Sequence, residues 1–290
     1  MNPNTNPILE LRGVGKDYGD FRVEDISFQL PVGHVMGLIG PNGAGKTTLI
    51  KSIMGLLSPT QGEVRLFGQT MADDEVGIRS RIGFVYDDAR HYPHLSLSKL
   101  RNVVAPFYER WDEPFFLDLT KRFELPLNKP LKKFSQGMVT KAALALALSH
   151  HAELIVMDEP TSGLDPAFRR ELLEIVTDLL KDGRKSVLFS THITSDLERI
   201  ADYITFIRQG KLVFSENRDE LFDRFAVVRG ARELLDDETR KCLLGVREHS
   251  FGFEGLTGDA SGMRARLGQQ AVIERASLED ILYLTGRREA

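Results

Sequence analysis

The sequence predicts an α/β chain. Its parts are a mostly parallel sheet with helices on both faces, an antiparallel β subdomain, a helical insertion and a small C-terminal α+β extension. Three observations predict this. Short apolar, β-branched runs alternate with longer helical patterns; a stretch from about 90 to 137 carries no strand pattern; and beyond residue 215 the pattern changes to short strands and helices.

The apolar runs VMGLIG (35–40), RIGFVY (81–86), LIVMDE (154–159) and SVLFSTH (186–192) read as strands buried on both faces. Strands of a parallel sheet covered by helices look like this. KTTLIKSIMGLL (46–57), MVTKAALALALSHH (138–151) and FRRELLEIVTDLLKDG (168–183) carry helical spacing. ILELRGVGKDY (8–18), ISFQL (26–30), GEVRLFG (62–68) and YITFIRQGKLVFS (203–215) read as antiparallel strands, the last turning at Gln209-Gly210. In the insertion, 96–111 and 113–127 are expected helices, punctuated by Pro106, Pro114, Pro126 and Pro130. Its aromatics, Tyr92, Phe107, Tyr108, Trp111, Phe115 and Phe116, are read mainly as core. In the extension, AVVRG, VREHSFGFEGLTG and AVIERA are strand-like, and SLEDILYLTG is a helix capped by Ser277 with Asp280 three residues on. The domains are therefore drawn at 8–215 and 216–290.

At 290 residues, with 42% hydrophobic and 28% charged, the chain can bury a real core. A net charge of −4 gives no push toward nucleic acid, and none is expected as a partner. The single cysteine, Cys242, rules out an intrachain disulfide and suits a reducing compartment. The start, MNPNTNPILEL, is polar with no signal core and is expected to be a short loose tail. No run approaches the roughly 18 to 20 apolar residues of a membrane span, so any membrane role is expected to come through a partner.

GPNGAGKTT (40–48) matches G-x-x-x-x-G-K-[ST], between a buried strand and a helix. Gly40, Gly43 and Gly45 let backbone approach phosphate, with Pro41, Asn42 and Ala44 completing the turn. The N–H groups at the helix start form an anion nest. Lys46 suits the β- and γ-phosphates, the Thr47 hydroxyl suits Mg²⁺, and Thr48 can donate to the α-phosphate. ATP and Mg²⁺ are the expected ligands.

The strand LIVMD ends on two acids, Asp158 and Glu159, followed by Pro160. Ligands of open α/β sheets lie beyond the carboxyl ends of the strands. Asp158 is then expected to hold Mg²⁺, and Glu159 to orient or deprotonate the attacking water. Alternation along an extended strand is expected to send the two side chains different ways, giving them separate roles.

With GPNGAGKTT, FSQGM, MDEPTSGLDP and FSTH in this order, the chain resembles the ATP-binding subunits of ABC transporters over residues 8 to about 215. The resemblance implies that FSQGM (134–138) is the signature segment, usually LSGGQ. Ser135 and Gly137 match it and would face the γ-phosphate held by an opposing subunit; Phe134, Gln136 and Met138 depart from it. It implies that SGLD (162–165) places Asp165 between paired sites, that His192 reads the γ-phosphate, and that Tyr18 stacks on adenine. The family usually has Gln where Asp87 stands. Asp⁻ only accepts hydrogen bonds and is shorter, so Asp87 would reach the metal through water and hydrolysis would be slower or more dependent on the partner.

The expected function is thus an ATP-hydrolysing subunit that powers a separate membrane-spanning subunit. The resemblance implies a homodimer or a heterodimer with a second such ATPase, peripheral on the cytoplasmic face of the cell membrane, and most like bacterial drug or antibiotic exporters. Lys46, Glu159 and His192 are the catalytic candidates. The alternative is a soluble ABC-type regulatory ATPase not coupled to transport; relatives acting on ribosomes or DNA carry two fused cassettes or a very long coiled-coil insertion, and this chain has neither. A GTPase would need a guanine-reading motif such as N-K-x-D, which is absent.

Overall fold

The computed structural model describes residues 7–86 and 92–285. The expected N-terminal tail (1–6) and Asp87 lie outside the described residues. The chain divides into two compact units, with the boundary between Ser215 and Glu216.

The first unit contains β1 (Leu9–Asp17), β2 (Arg22–Leu30), β3 (Val35–Ile39), α1 (Lys46–Ile53), β4 (Gln61–Leu66), α2 (Glu75–Ser80), β5 (Ile82–Tyr86), α3 (Leu97–Val104), α4 (Glu113–Arg122), α5 (Gln136–Leu148), β6 (Leu154–Asp158), α6 (Pro166–Leu179), β7 (Ser186–Thr191), α7 (Thr194–Ile200), β8 (Tyr203–Arg208) and most of β9 (Lys211–Asn217). These strands form one sheet in the order β4-β1-β2-β9-β8-β3-β7-β6-β5. The expected antiparallel part is present as the β4-β1-β2 end of this sheet. β1 pairs antiparallel with β2 and β4, but these strands continue into the parallel part. β8 and β9, joined at the expected Gln209-Gly210 turn, are neighbours in the sheet, and on its other side β8 runs parallel to β3. The β8 core residues Ile204 to Phe206 are buried like those of the other central strands, because helices cover the sheet there.

Every residue of β3, β6 and β7 is buried, as expected of strands screened on both faces. β2 alternates instead, as a strand with one wetter face does. α1 stops at Ile53, short of the expected Leu57, because Gly55 takes a left-handed φ of +66° just beyond it. In the insertion, α3 ends before Pro106 and α4 starts with Pro114 in its first turn, capped by Asp112. Only one of its six aromatics, Phe116, is fully buried, while Tyr92 and Phe107 are 58% and 78% exposed. The reading of these rings as mainly core is corrected: short helices α3 and α4 have too little facing surface to cover them all.

The second unit contains α8 (Arg218–Arg224), β10 (Ala226–Gly230), α9 (Asp237–Lys241), β11 (Gly245–His249), β12 (Gly252–Thr257), α10 (Ala260–Leu267), β13 (Ala271–Arg275) and α11 (Leu278–Thr285). Its four strands lie in the order β11-β12-β10-β13, all antiparallel. With α9 and α10 as connections this is a split β-α-β arrangement. Val228, Leu243, Phe253, Met263 and Leu267 form its core. Arg229 ties the central strand to both neighbours through Glu254 at 2.7 Å and Glu274 at 2.8 Å. Ser277 and Asp280 close the expected reciprocal cap before α11, with Asp280 N donating to Ser277 Oγ at 3.1 Å.

Candidate nucleotide site

The loop from Gly40 to Gly45 joins β3 to α1 and is fixed by its own backbone. Ala44 N donates to Pro41 O at 3.1 Å, and Gly210 N, in the β8–β9 turn, donates to Ala44 O at 3.0 Å. Two glycines are required by contact. A Cβ on Gly40 would lie 2.3 Å from Ile207 O, and Gly45 has φ +108° with Val23 packed 2.9 Å from where its Cβ would stand. No L-residue with a side chain fits either place without moving the backbone.

Above this loop lies a cavity of about 440 Å³ lined by Phe21, the segment Asn42 to Thr48, and Glu159. A second hollow of about 390 Å³ shares Phe21 and Gly43 and adds Asp20, Arg22, Glu24, Gln209 and Lys211. Volumes of this size hold small ligands.

The acids arrive from β6, which is separated from β3 by β7. The register sets Asp158 level with Ser190 and Ile39 level with Thr191, so all three strands end at one height. Asp158 Oδ2 accepts from Thr47 Oγ1 at 3.1 Å. Lys46 Nζ donates to Gly40 O at 2.8 Å and lies 3.3 Å from Glu159 Oε1. His192 Nδ1 stands 2.8 Å from Glu159 Oε2, and His192 N donates to the same oxygen at 3.4 Å. Lys46, Thr47, Asp158, Glu159 and His192 are thus one connected cluster.

The expectation that strand alternation separates the two acids is corrected. Glu159 is not extended: its φ is +49°, in the left-handed region, with its N–H donating to Ser190 O at 2.9 Å. That turn aims Glu159 at Lys46 and His192 while Asp158 stays in the strand. A left-handed conformation costs a non-glycine residue about 1–3 kcal/mol, a cost that collects at functional sites.

Ser135 and Gly137 are not among the residues lining the cavity. Ser135 caps α5, accepting from Met138 N at 3.3 Å, and Gly137 packs near Phe168. Asp165 caps α6 through Ala167 N and Phe168 N. Tyr18 is 52% exposed in the β1–β2 turn and does not line the cavity either. The aromatic that does is Phe21, whose ring edge lies 3.4 Å from where a Gly45 Cβ would be. Sequence reasoning missed Phe21; its signal was its place in the same turn, YGDF.

The oxygens of Thr47 and Asp158 fit a hard divalent cation. Asp158 is 3% exposed, and its Oδ1 is buried with no hydrogen-bond partner in the protein. Magnesium prefers such oxygen donors and completes its shell with phosphate and water.

Burial pushes the Asp158 carboxyl above its ordinary pKa, opposed by the nearby Ser190 and Thr47 hydroxyls and Lys46 and helped by the Glu159 charge. The folded chain therefore holds this proton more tightly than the unfolded chain, and stability falls as pH rises from the unfolded through the folded pKa. Asp158→Asn removes that cost. The variant should melt above the wild type at pH 7, with the difference narrowing as pH falls toward the ordinary carboxylate range, while ATP hydrolysis is lost. Paired melting curves and ATPase rates check this, and a lower melting temperature at pH 7 contradicts it.

Residues 23–162 match the family described as ABC transporter. The chain is 33% identical to the lantibiotic transport ATP-binding protein SrtF of Streptococcus pyogenes over 74% of this chain and 96% of that one. It is 33% identical to the Nod factor export ATP-binding protein I of Cupriavidus pinatubonensis over 98% and 93%. A solved structure of the ATP-binding subunit of an ABC transporter superposes with a TM-score of 0.68 at 30% identity, over 74% of this chain and 92% of that one. With the phosphate loop, the acid pair and the strand-end histidine in one cluster, this chain belongs to the ABC transporter family, as an ATP-binding, ATP-hydrolysing subunit.

Proposed function

We propose that the chain drives export through a separate membrane-spanning subunit, working on its cytoplasmic face as one half of an ATPase pair. The observation that carries the reading is the convergence of Lys46, Thr47, Asp158, Glu159 and His192 at the ends of β3, β6 and β7. The phosphate loop cradles the triphosphate, Lys46 neutralises its β- and γ-oxygens, and Tyr18 stacks on adenine, with Phe21 lining the cavity beside the loop. Thr47 and Asp158 would hold Mg²⁺, which neutralises phosphate charge. Glu159 takes a proton from the attacking water as the bond from the γ-phosphorus to its bridging oxygen breaks, releasing ADP and phosphate. His192 fixes the orientation of Glu159. Asp87 belongs to this set by sequence, one residue beyond β5.

Ser135 and Gly137, at the start of α5, serve the site of the second ATPase copy. The N-terminal end of that helix, with a Ser cap, favours an anion. The membrane subunit docks in an apolar hollow of about 450 Å³ whose lining includes Phe84, Tyr86, Leu100, Val104, Tyr108 and His150. Among the described residues no helix is long and apolar enough to cross a membrane, which supports a separate spanning partner. The similarity to a Nod factor export ATP-binding protein supports export as the direction.

Copurification in detergent tests the pairing. The chain should retain a multi-span membrane protein, and Val104→Glu with Leu100→Glu should release it while the isolated chain hydrolyses ATP at the wild-type rate. Unchanged retention removes the hollow as the docking place. For direction, cells carrying the pair should accumulate less of the transported compound than cells carrying the Glu159→Gln form; higher accumulation points to import.

A further inference from the structure

Asp196 is a buried charge that the nucleotide cluster leaves unused. It stands on α7, four residues past His192, and is 1% exposed. Arg169 Nε donates to its Oδ1 at 2.7 Å, and the same guanidinium donates through Nη2 to Ser195 Oγ at 3.0 Å. Arg169 lies on α6, one turn past Asp165, and its N–H donates to Asp165 O at 2.9 Å.

The start of α7 needs an outside anchor. Its N-cap position, Ile193, supplies no side-chain cap. The fork of Arg169 holds the first turn instead, at two successive residues. On the other side Leu197 presses against β3, filling the space of a Gly37 Cβ at 2.6 Å. There is little slack between α7 and the strand end, because Ile193 N donates to Thr191 Oγ1 at 3.0 Å across the turn that carries His192. A shift of α7 is therefore passed to His192, whose ring and N–H both meet Glu159.

An ion pair with one partner buried, as Asp196 is beside a partly exposed Arg169, is a poor device for stability alone, since desolvation offsets much of its attraction. A planar two-point fork is a good device for orientation. We propose that Arg169 is a positioning residue for ATP hydrolysis: by holding Ser195 and Asp196 it fixes the start of α7 and so the place of His192 against Glu159. The inference rests on the roles given above to His192 and Glu159.

The test is a double-mutant cycle on the full chain, with hydrolysis measured per bound ATP in single turnover and ATP affinity measured in parallel. Arg169→Met should slow hydrolysis about tenfold with ATP affinity unchanged, since small misplacements near the chemistry cost at least that much. Arg169→Lys, which keeps the charge but not the fork, should recover only part of the loss. In a His192→Ala background Arg169→Met should add no further loss. An equal loss in both backgrounds, or a wild-type rate per bound ATP in Arg169→Met, overturns the proposal. Should Arg169→Met not fold, Ser195→Ala decides: Ser195 is exposed, and its loss should slow hydrolysis about twofold in the wild type and not in His192→Ala. His192→Ala at the wild-type rate would overturn the role of His192 itself, and Arg169 with it; a normal loss there with additive effects sinks the coupling alone.

Discussion

Glu159→Gln should bind ATP nearly as well as the wild type and hydrolyse it about 10²–10⁴-fold more slowly. The amide keeps the size of the carboxylate and can still accept hydrogen bonds from His192, but it cannot take a proton from water. The left-handed turn at residue 159 is a backbone feature, so the substitution should leave the cluster's geometry in place. Binding without turnover should then trap a closed pair. Size-exclusion chromatography should show a dimer with ATP and Mg²⁺ that the wild type holds only transiently. Turnover within a fewfold of wild type would remove Glu159 as the base and pass that role to a group outside the cluster.

Lys46→Ala should weaken ATP binding by roughly ten- to hundredfold, the loss of a charge-assisted contact worth about 1.5–3 kcal/mol. Lys46 is 6% exposed, with its ammonium between Gly40 O, Pro41 O and Glu159. It is already pointed along the loop, so little side-chain freedom is lost when phosphate arrives. Hydrolysis should fall further than binding, because the same cation meets charge that grows on the phosphoryl oxygens. The change also leaves Glu159 without its 3.3 Å ion pair, so ADP affinity should fall less than ATP affinity. Equilibrium titration with both nucleotides measures this; wild-type ATP affinity in the variant would contradict the cradle.

The central strands were legible because covered parallel strands must be apolar along their whole length, and VMGLI, LIVMD and SVLFST are. The phosphate loop was legible because its function constrains backbone: only glycine fits against Ile207 O or adopts the Gly45 conformation. The helical insertion was found from its prolines and missing strands, but its ring packing was not, since burial of Phe116 over Phe107 depends on which helices face each other. Phe21 was missed for a similar reason. The turn carries two nearby aromatics, and only the fold brings Phe21 against the phosphate loop.

By itself, then, the sequence determined the class of ligand, the strand and helix plan, and the residue types that meet phosphate and metal. Each of these is written in local pattern, either the period of apolar residues or the spacing of a single loop. Only the tertiary structure decided that one continuous sheet holds the antiparallel and parallel strands, that β7 stands between the phosphate loop and the acids, and that a left-handed turn aims Glu159 at Lys46. It likewise decided that Arg169 reaches across to Asp196, 27 residues away. Such pairings join segments far apart in the chain, and no local preference encodes them: they follow from which buried faces must pack together.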